Sequence, residues 1–257
     1  MLAYLLDGAG SPVTLLHGFT QSANSWDELI SLMPAGHRWI RPDLPGHGHR
    51  AMTGTPTLES TAEQLIELWD ALGVERTHLV GYSLGGRVAL YTAARHPDRL
   101  LTLTAISAHA GFEGTGRESR RLEDVVLADR IERDGVDWFA SYWAFRPIFA
   151  GLARRGPDFL TRLDAARRAN SAAGLAASLR GMGGGAAEAF WEEIASITAP
   201  ALFIAGAEDQ RYVKYARRLA ALAPAGRAAV VPRSGHVVHL EQPEAIAGLL
   251  AAQLSVR

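Results

Sequence analysis

The sequence predicts an α/β fold with a mostly parallel, doubly wound sheet and an inserted helical cap. Short apolar runs rich in valine, leucine and isoleucine alternate with helix-length amphipathic segments, a pattern typical of strands joined by crossover helices. The chain has 257 residues, of which 48% are apolar. This composition suits one full-sized core with a modest insertion, so we expect a single folding unit.

Six apolar runs are the predicted parallel strands, and residues 1–10 are interpreted as an opening strand. The runs are Val13–Leu16, Trp39–Ile40, Thr77–Val80, Leu100–Ile106, Ala201–Ala205 and Ala228–Val231. Four other segments place apolar residues at helical spacing and are the predicted helices that cover the sheet. They are Ser60–Leu72, Leu84–Arg95, Val213–Leu222 and Pro243–Leu254.

The alternation stops between residues 112 and 185. Strand-like runs vanish there, and charged, helix-favouring segments such as Arg117–Asp134 and Arg162–Arg180 take their place. Glycines flank the stretch on both sides. We therefore predict a core formed by residues 1–111 and 186–257, with residues 112–185 as a helical cap.

Composition and charge exclude several classes of function. The chain has 26 basic and 27 acidic side chains, so its net charge of -1 favours neither nucleic acid nor an anionic membrane. The absence of cysteine excludes a disulfide framework, a thiolate metal site and a cysteine nucleophile. No run approaches the roughly 20 apolar residues of a membrane-spanning helix, and the N-terminus has no leader pattern. We expect a cytoplasmic protein with no stable membrane insertion, and the sequence leaves its oligomeric state open.

Ser83 is the predicted nucleophile. It lies in the segment Gly81–Gly85, between a predicted strand and a predicted helix. Gly-x-Ser-x-Gly in this setting is the nucleophile elbow of the α/β-hydrolase fold, a sharp turn that forces the serine hydroxyl into the open. Glycines are needed because side chains there would collide with the adjoining strand and helix.

His236 and Asp209 follow predicted strands downstream, in the order serine, acid, histidine that this fold uses. His236 lies in a loop at a strand's carboxyl end, where ligands meet an open α/β sheet. His239 is the rival base, but its place at the start of the last helix favours packing or capping. Asp209 is predicted to orient His236 and to stabilise its imidazolium. Glu208 is the alternative carboxylate, interpreted as a solvent-facing loop residue.

The backbone N–H groups of Phe19 and Leu84 are the predicted oxyanion hole. Phe19 follows the strand Val13–Leu16, where the fold places one such donor, and Leu84 follows the nucleophile. Backbone donors stabilise a developing oxyanion by about a few kcal/mol whatever their side chains. Asp43 and His47 lie in a Pro- and Gly-containing loop and are interpreted as loop-stabilising residues.

The chain resembles, over nearly its whole length, the α/β-hydrolase-fold 2-succinyl-6-hydroxy-2,4-cyclohexadiene-1-carboxylate (SHCHC) synthases of menaquinone biosynthesis. The specific matches are residues 81–87, the cap segment 127–135 followed by Tyr142-Trp143, and Asn170 with residues 174–183. The cap match is the most specific, because caps diverge fastest among hydrolases. The chain departs from the family after Leu100–Ile106, where a Pro-Gly-Leu-like turn is usual. Here His109 occupies that stretch and either lines the pocket or fills the turn.

The resemblance implies a lyase. Enzymes of this family eliminate pyruvate from 2-succinyl-5-enolpyruvyl-6-hydroxy-3-cyclohexene-1-carboxylate, with the triad serine acting as a base toward a ring proton. The substrate-binding residues implied by position are Arg87, Arg121, Arg168, Tyr82 and Trp143, and no metal or organic cofactor is implied. Arginine suits a carboxylate substrate because its guanidinium is forked and permanently charged. Arg120 and Arg167 adjoin two of these arginines, so the sequence leaves open which member of each pair faces the pocket.

Two other functions stay open at this point. The same triad supports a hydrolase of carboxylic esters or carbon–carbon bonds that works through an acyl-serine intermediate. The same fold also supports a small-molecule receptor without catalysis, because fold alone does not establish function.

Overall fold

A computed structural model describes residues 1–48 and 54–256 of the chain. Within them, seven strands form one sheet in the order β1-β3-β2-β4-β5-β6-β7. β1 runs antiparallel to β3, and the other neighbouring pairs are parallel. The strands are β1 (Tyr4–Gly8), β2 (Ser11–Leu16), β3 (His37–Pro42), β4 (Thr77–Tyr82), β5 (Leu100–Ile106), β6 (Ala201–Gly206) and β7 (Gly226–Val231).

Every predicted apolar run lies inside one of these strands. β5 has the predicted bounds, whereas β3 extends well beyond the two apolar residues that predicted it. The polar residues on either side of these two belong to the strand because their backbone pairs with β1 and β2. Backbone pairing of this kind is not visible in a pattern of apolar side chains. Arg41, one of these polar residues, is held by ion pairs with Asp7 and Asp27.

Both faces of the central strands β2 to β6 are buried, whereas the edge strand β1 and much of the edge strand β7 are exposed. Leu16 and Leu79 pack in one hydrophobic cluster, whereas their chain neighbours Leu15 and Val80 pack in another. Successive side chains of a strand point to opposite faces, so the two clusters lie on the two sides of the sheet. This explains why the strands are continuous apolar runs rather than alternating ones.

The core helices connect successive strands of the chain or come after the last strand, β7. They are α1 (Asp27–Ser31), α2 (Leu58–Ala71), α3 (Leu84–Arg95), α7 (Gln210–Leu222), α8 (Val238–Glu241) and α9 (Pro243–Leu254), with short 3₁₀ helices at Ala23–Trp26, Pro97–Arg99 and Glu192–Ser196. α3 and α9 have the predicted bounds. In residues 1–48 and 54–256, no helix combines the length and the apolar character that crossing a membrane requires.

A helical segment separates β5 from β6. It contains α4 (Thr115–Ala144), a 3₁₀ helix (Pro147–Arg155), α5 (Pro157–Arg168) and α6 (Ala172–Met182). Gly135 breaks α4 with φ 84° and ψ 169°, and Ser171 caps α6 by accepting a hydrogen bond from the Gly174 N–H. We call the segment 112–185 the cap, as predicted. Its exact boundaries stay a prediction, and residues 49–53 and 257 of the predicted core lie outside the described residues.

The cap rests on the core at two glycines. A β-carbon on Gly174 would lie 2.6 Å from the carbonyl oxygen of Gly46, and Gly46 has φ +85°. Asn170 adds side-chain bonds across the same seam, accepting from the Gly48 N–H at 3.1 Å and donating to the Thr20 carbonyl at 3.1 Å. These contacts hold the cap above the loops that follow β2 and β3.

Candidate active site

The serine turn has the geometry that its glycines predict. Ser83 has φ 51° and ψ −109°, a strained conformation for a residue with a side chain. A β-carbon on Gly81 would lie 2.6 Å from the carbonyl carbon of Gly85, and one on Gly85 would lie 2.5 Å from the His17 carbonyl oxygen. The chain therefore turns from β4 into α3 with the Ser83 side chain facing the cavity.

The structure brings the three predicted triad residues together. His236 Nε2 lies 3.1 Å from Ser83 Oγ, and His236 Nδ1 lies 3.0 Å from Asp209 Oδ2. The residues come from the carboxyl ends of β4, β6 and β7, which meet at one edge of a parallel sheet. The arrangement is suited to passing the Ser83 proton to His236 while Asp209 stabilises the resulting charge.

The two predicted oxyanion donors border the same cavity as Ser83. Neither the Phe19 nor the Leu84 N–H has a hydrogen-bond acceptor within residues 1–48 and 54–256. Leu84 is the first residue of α3, whose opening N–H groups have no partner inside the helix. Both amides are therefore available to a ligand oxygen.

The loop of His236 is held by a residue that the sequence did not reveal. The Glu241 carboxylate accepts from the Gly235 N–H at 2.8 Å and from the Val237 N–H at 3.0 Å, one on each side of the histidine. Arg154 of the cap donates to the same carboxylate at 3.1 Å and to Glu208 at 2.9 Å. Glu241 thus fixes the backbone that carries the base.

The rival residues have structural roles. His239 is sandwiched between Trp26 and Tyr82, with ring centroids at 4.8 and 4.3 Å. Burial lowers the pKa of His239 to about 3, so its ring is too weak a base for catalysis near neutral pH. Glu208 is exposed and paired with Arg154. Asp43 accepts from the Ala23 N–H at 2.8 Å, which joins the loop after β3 to the 3₁₀ helix Ala23–Trp26.

A cavity of about 410 Å³ lies between the triad and the cap. Five arginines line it: Arg87, Arg120, Arg146, Arg167 and Arg211. Among the described residues only Arg120 of these five has a carboxylate partner, Asp124 at 2.8 Å. Across the same part of the chain, no group of three or more histidine, aspartate or glutamate side chains is placed to hold a metal ion. The cavity is therefore a site with excess positive charge.

Arg87 is the most informative of these arginines. Its Nη1 donates to the carbonyls of Met182 at 2.7 Å and Gly183 at 2.9 Å, which anchors it beneath the end of α6. Its Nε and Nη2 are buried and have no hydrogen-bond partner. Burial lowers the pKa of Arg87 to about 10, so the side chain is still charged at neutral pH. A buried guanidinium with one free edge fits a carboxylate ligand.

Two of the predicted substrate-binding arginines lie outside the cavity lining. Arg121 is exposed and does not line the cavity, whereas its neighbour Arg120 does. Arg168 points away and is paired with Asp164 at 2.7 Å and Asp137 at 2.8 Å, whereas Arg167 lines the cavity. The physical reason is helical register, since adjacent residues of a helix face directions about 100° apart.

Trp143 and Tyr82 lie where the resemblance implied, on the cavity wall. The Trp143 ring contacts Phe19 at 5.6 Å, and its buried Nε1 has no hydrogen-bond partner. Burial raises the pKa of Tyr82 well above its usual value, so the phenol stays protonated. His109 also lines the cavity, which answers the question the sequence left open.

Comparison with known proteins agrees with this geometry. The family model for the α/β hydrolase fold matches residues 11–243. A Bacillus subtilis protein provisionally named 2-succinyl-6-hydroxy-2,4-cyclohexadiene-1-carboxylate synthase is 36% identical over 239 residues, covering 91% of this chain and 87% of the relative. The synthase of that name from Enterobacter sp. (strain 638) is 29% identical over 254 residues, covering 97% of this chain and 95% of the relative.

Solved structures give the same result. MenH from S. aureus superposes with a TM-score of 0.94 at 26% identity, covering 99% of this chain and 98% of that one. A thermophilic esterase from Thermogutta terrifontis with malate bound has a TM-score of 0.85 at 27% identity, covering 98% and 92%. The chain belongs to the α/β-hydrolase fold family and, within it, to the family of the SHCHC synthases.

Proposed function

We propose that the protein is a carbon–oxygen lyase of menaquinone biosynthesis that eliminates pyruvate from 2-succinyl-5-enolpyruvyl-6-hydroxy-3-cyclohexene-1-carboxylate to give SHCHC. The observation that carries the proposal is the unpartnered, buried guanidinium edge of Arg87, a residue that lines the same cavity as the Ser83–His236 pair. Ester hydrolysis needs the triad but no buried cation next to it. The elimination from a substrate with several carboxylates requires the triad for the reaction and a buried cation to bind a carboxylate.

The proposed reaction moves one proton and breaks one bond. Substrate and product names place the ring double bond at carbon 3 before the reaction and double bonds at carbons 2 and 4 after it. A base removes the proton on carbon 2, which is acidic because the succinyl ketone is attached there. The electrons move around the ring, the carbon–oxygen bond at carbon 5 breaks, and the oxygen leaves with both electrons as the enolate of pyruvate. No net oxidation occurs, so the step requires no redox cofactor.

The cavity residues divide these tasks. Ser83 Oγ removes the ring proton while His236 Nε2 takes the hydroxyl proton, and Asp209 stabilises the imidazolium. The amides of Phe19 and Leu84 stabilise the enolate oxygen of the succinyl ketone. His236 then returns a proton to the leaving enolate. Serine serves as a base, and its nucleophilicity is unused.

The carboxylates of the substrate are bound by arginines of the cavity lining, one from the core helix α3 and two from the cap. Arg87 offers its free Nε and Nη2, and Arg167 is buried with a free Nε. Burial lowers the pKa of Arg167, and an anion beside the guanidinium would offset this desolvation. Arg120 contributes a third charge, partly balanced by Asp124. Trp143 and Tyr82 border the same space.

Pyruvate release tests this proposal. Wild-type protein and Arg87→Ala are supplied with the enolpyruvyl substrate, and pyruvate is followed beside turnover of a neutral nitrophenyl ester. We expect fast pyruvate release that falls about a hundredfold in Arg87→Ala, because a charged hydrogen-bonded pair contributes about 1.5–3 kcal/mol. Arg168→Ala is the matched control, since Arg168 is paired outside the cavity.

A serine hydrolase is the second candidate. The observation that favours it is the assembled triad with two free backbone amides, which also fits an acyl-serine intermediate. The likeness to an esterase at 27% identity is in line with this reading. Rapid ester turnover without pyruvate release, unaffected by Arg87→Ala, would establish the hydrolase instead. Ligand binding with neither turnover would establish a non-catalytic receptor.

The proposed partner is a free small-molecule carboxylate, with neither nucleic acid nor stable membrane insertion involved. A molecule with several carboxylates does not cross a membrane unaided, because burying a charge in an apolar medium is very unfavourable. We propose the cytoplasm as the location of the enzyme for this reason.

A further inference from the structure

His109 lies on the cavity wall, three residues after the end of β5. Its side chain is buried, and its ring packs against Phe112 and Tyr215 with centroids at 4.6 and 5.3 Å. Tyr212 lies at 6.0 Å on a third side. These aromatic contacts fix the plane of the imidazole, so the direction of its N–H bond is fixed as well.

The hydrogen bonds of His109 define which nitrogen carries the proton. The backbone N–H of Gly111 donates to His109 Nδ1 at 3.0 Å, and an amide N–H can only donate. Nδ1 is therefore the unprotonated nitrogen, and the proton of the neutral ring is on Nε2. Nε2 has no hydrogen-bond partner among residues 1–48 and 54–256. The ring thus presents one unused N–H donor.

The charges around His109 keep its ring neutral. Burial lowers the pKa of His109 well below its usual value, and the positive charges of Arg87, Arg211 and Arg120 lower it further. Arg87 has an unpaired buried edge, and Arg211 at the cavity rim has no carboxylate partner in the described chain. His109, Arg87 and Arg211 line the same cavity, which therefore has several donors and an excess of positive charge.

We propose that His109 is a substrate-binding residue: its Nε2–H, the free edge of Arg87 and the rim guanidinium of Arg211 form a subsite for one carboxylate of the ligand. A neutral donor suits this place because it adds a hydrogen bond without adding another buried cation to those already present. The inference rests on the proposed function for the identity of the substrate. The anion subsite itself is a separate claim about binding.

Succinate binding measured by calorimetry tests the subsite without requiring turnover. His109→Phe keeps a ring between Phe112 and Tyr215 but removes the donor, whereas His109→Gln keeps an N–H near the position of Nε2. We expect His109→Phe to weaken succinate binding about tenfold, from the loss of one hydrogen bond to a charged group, and His109→Gln to recover most of it. His96→Gln, far from the cavity, is the control.

Kinetics with the enolpyruvyl substrate complete the test. The His109→Phe effect is expected in KM rather than in kcat, because the subsite binds a group that does not react. Equal succinate affinity in wild type and His109→Phe, with both proteins folded by circular dichroism, overturns the subsite even where pyruvate is released. Loss of affinity in His109→Phe with no pyruvate release from wild type retains the subsite and overturns the lyase.

Discussion

The two walls of the cavity differ in how completely they are hydrogen-bonded. On the core wall, Ser83, His236 and Asp209 bond to one another with distances of 3.0 and 3.1 Å. On the other, which we call the binding wall and which is formed by Arg87 of the core helix α3 and by Arg167 and Trp143 of the cap, there are buried donors without partners. Each unpaired buried donor costs about 1–3 kcal/mol. The reacting groups are therefore assembled in advance, whereas the proposed binding groups keep hydrogen-bond donors that a ligand could use.

Ser83→Ala separates the two walls most strongly. We expect kcat for pyruvate release to fall about a thousandfold, because a positioned base contributes about 10²–10⁴-fold, while succinate affinity stays unchanged. Stopped assays of pyruvate and calorimetry on the same preparation measure the two quantities. Ser141→Ala, on the exposed face of α4, is the control. A kcat within tenfold of wild type would show that another group is the base.

Glu241→Gln tests whether the core wall depends on the support of its histidine loop. The variant loses the carboxylate that accepts from Gly235 and Val237, so we expect kcat to fall about 10- to 100-fold with little change in KM. Glu208→Gln is a matched control, because its side chain also pairs with Arg154 but contacts no amide of that loop. Equal losses in the two variants would assign the effect to Arg154 and the cap instead.

Arg167→Met and Arg168→Met test the binding wall by changing adjacent residues of one helix. Arg167 faces the cavity, so its loss is expected to raise KM about tenfold. Arg168 pairs with Asp164 and Asp137, and its loss is expected to change KM less than about twofold. Steady-state kinetics of pyruvate release distinguish them. A larger effect of Arg168→Met would contradict the side-chain orientation described for α5.

The core wall was predictable from the sequence because strands constrain it. Ser83, Asp209 and His236 each follow an apolar run, and parallel strands bring their carboxyl ends to one edge. The sequence left open which member of each adjacent arginine pair in the cap faces the cavity, and the structure places Arg120 and Arg167 on the cavity wall. A shift of one residue turns a helical side chain by about 100°, which a local pattern does not fix. Glu241 was missed for a different reason. Its contacts with Arg154 and with the histidine loop form only in three dimensions, and no local pattern reports them.

The seam between Gly46 and Gly174 limits how this protein can diversify. Substitutions on much of the cap surface are expected to change stability little, because side chains there, such as those of Leu122 and Val126, are exposed. At the seam, two backbones touch with no side chain between them, and even one added methyl would meet a carbonyl group. Substitutions in the walls of the cavity can therefore change ligand preference, whereas Gly46 and Gly174, where the cap contacts the core, cannot be replaced by a larger residue without a clash.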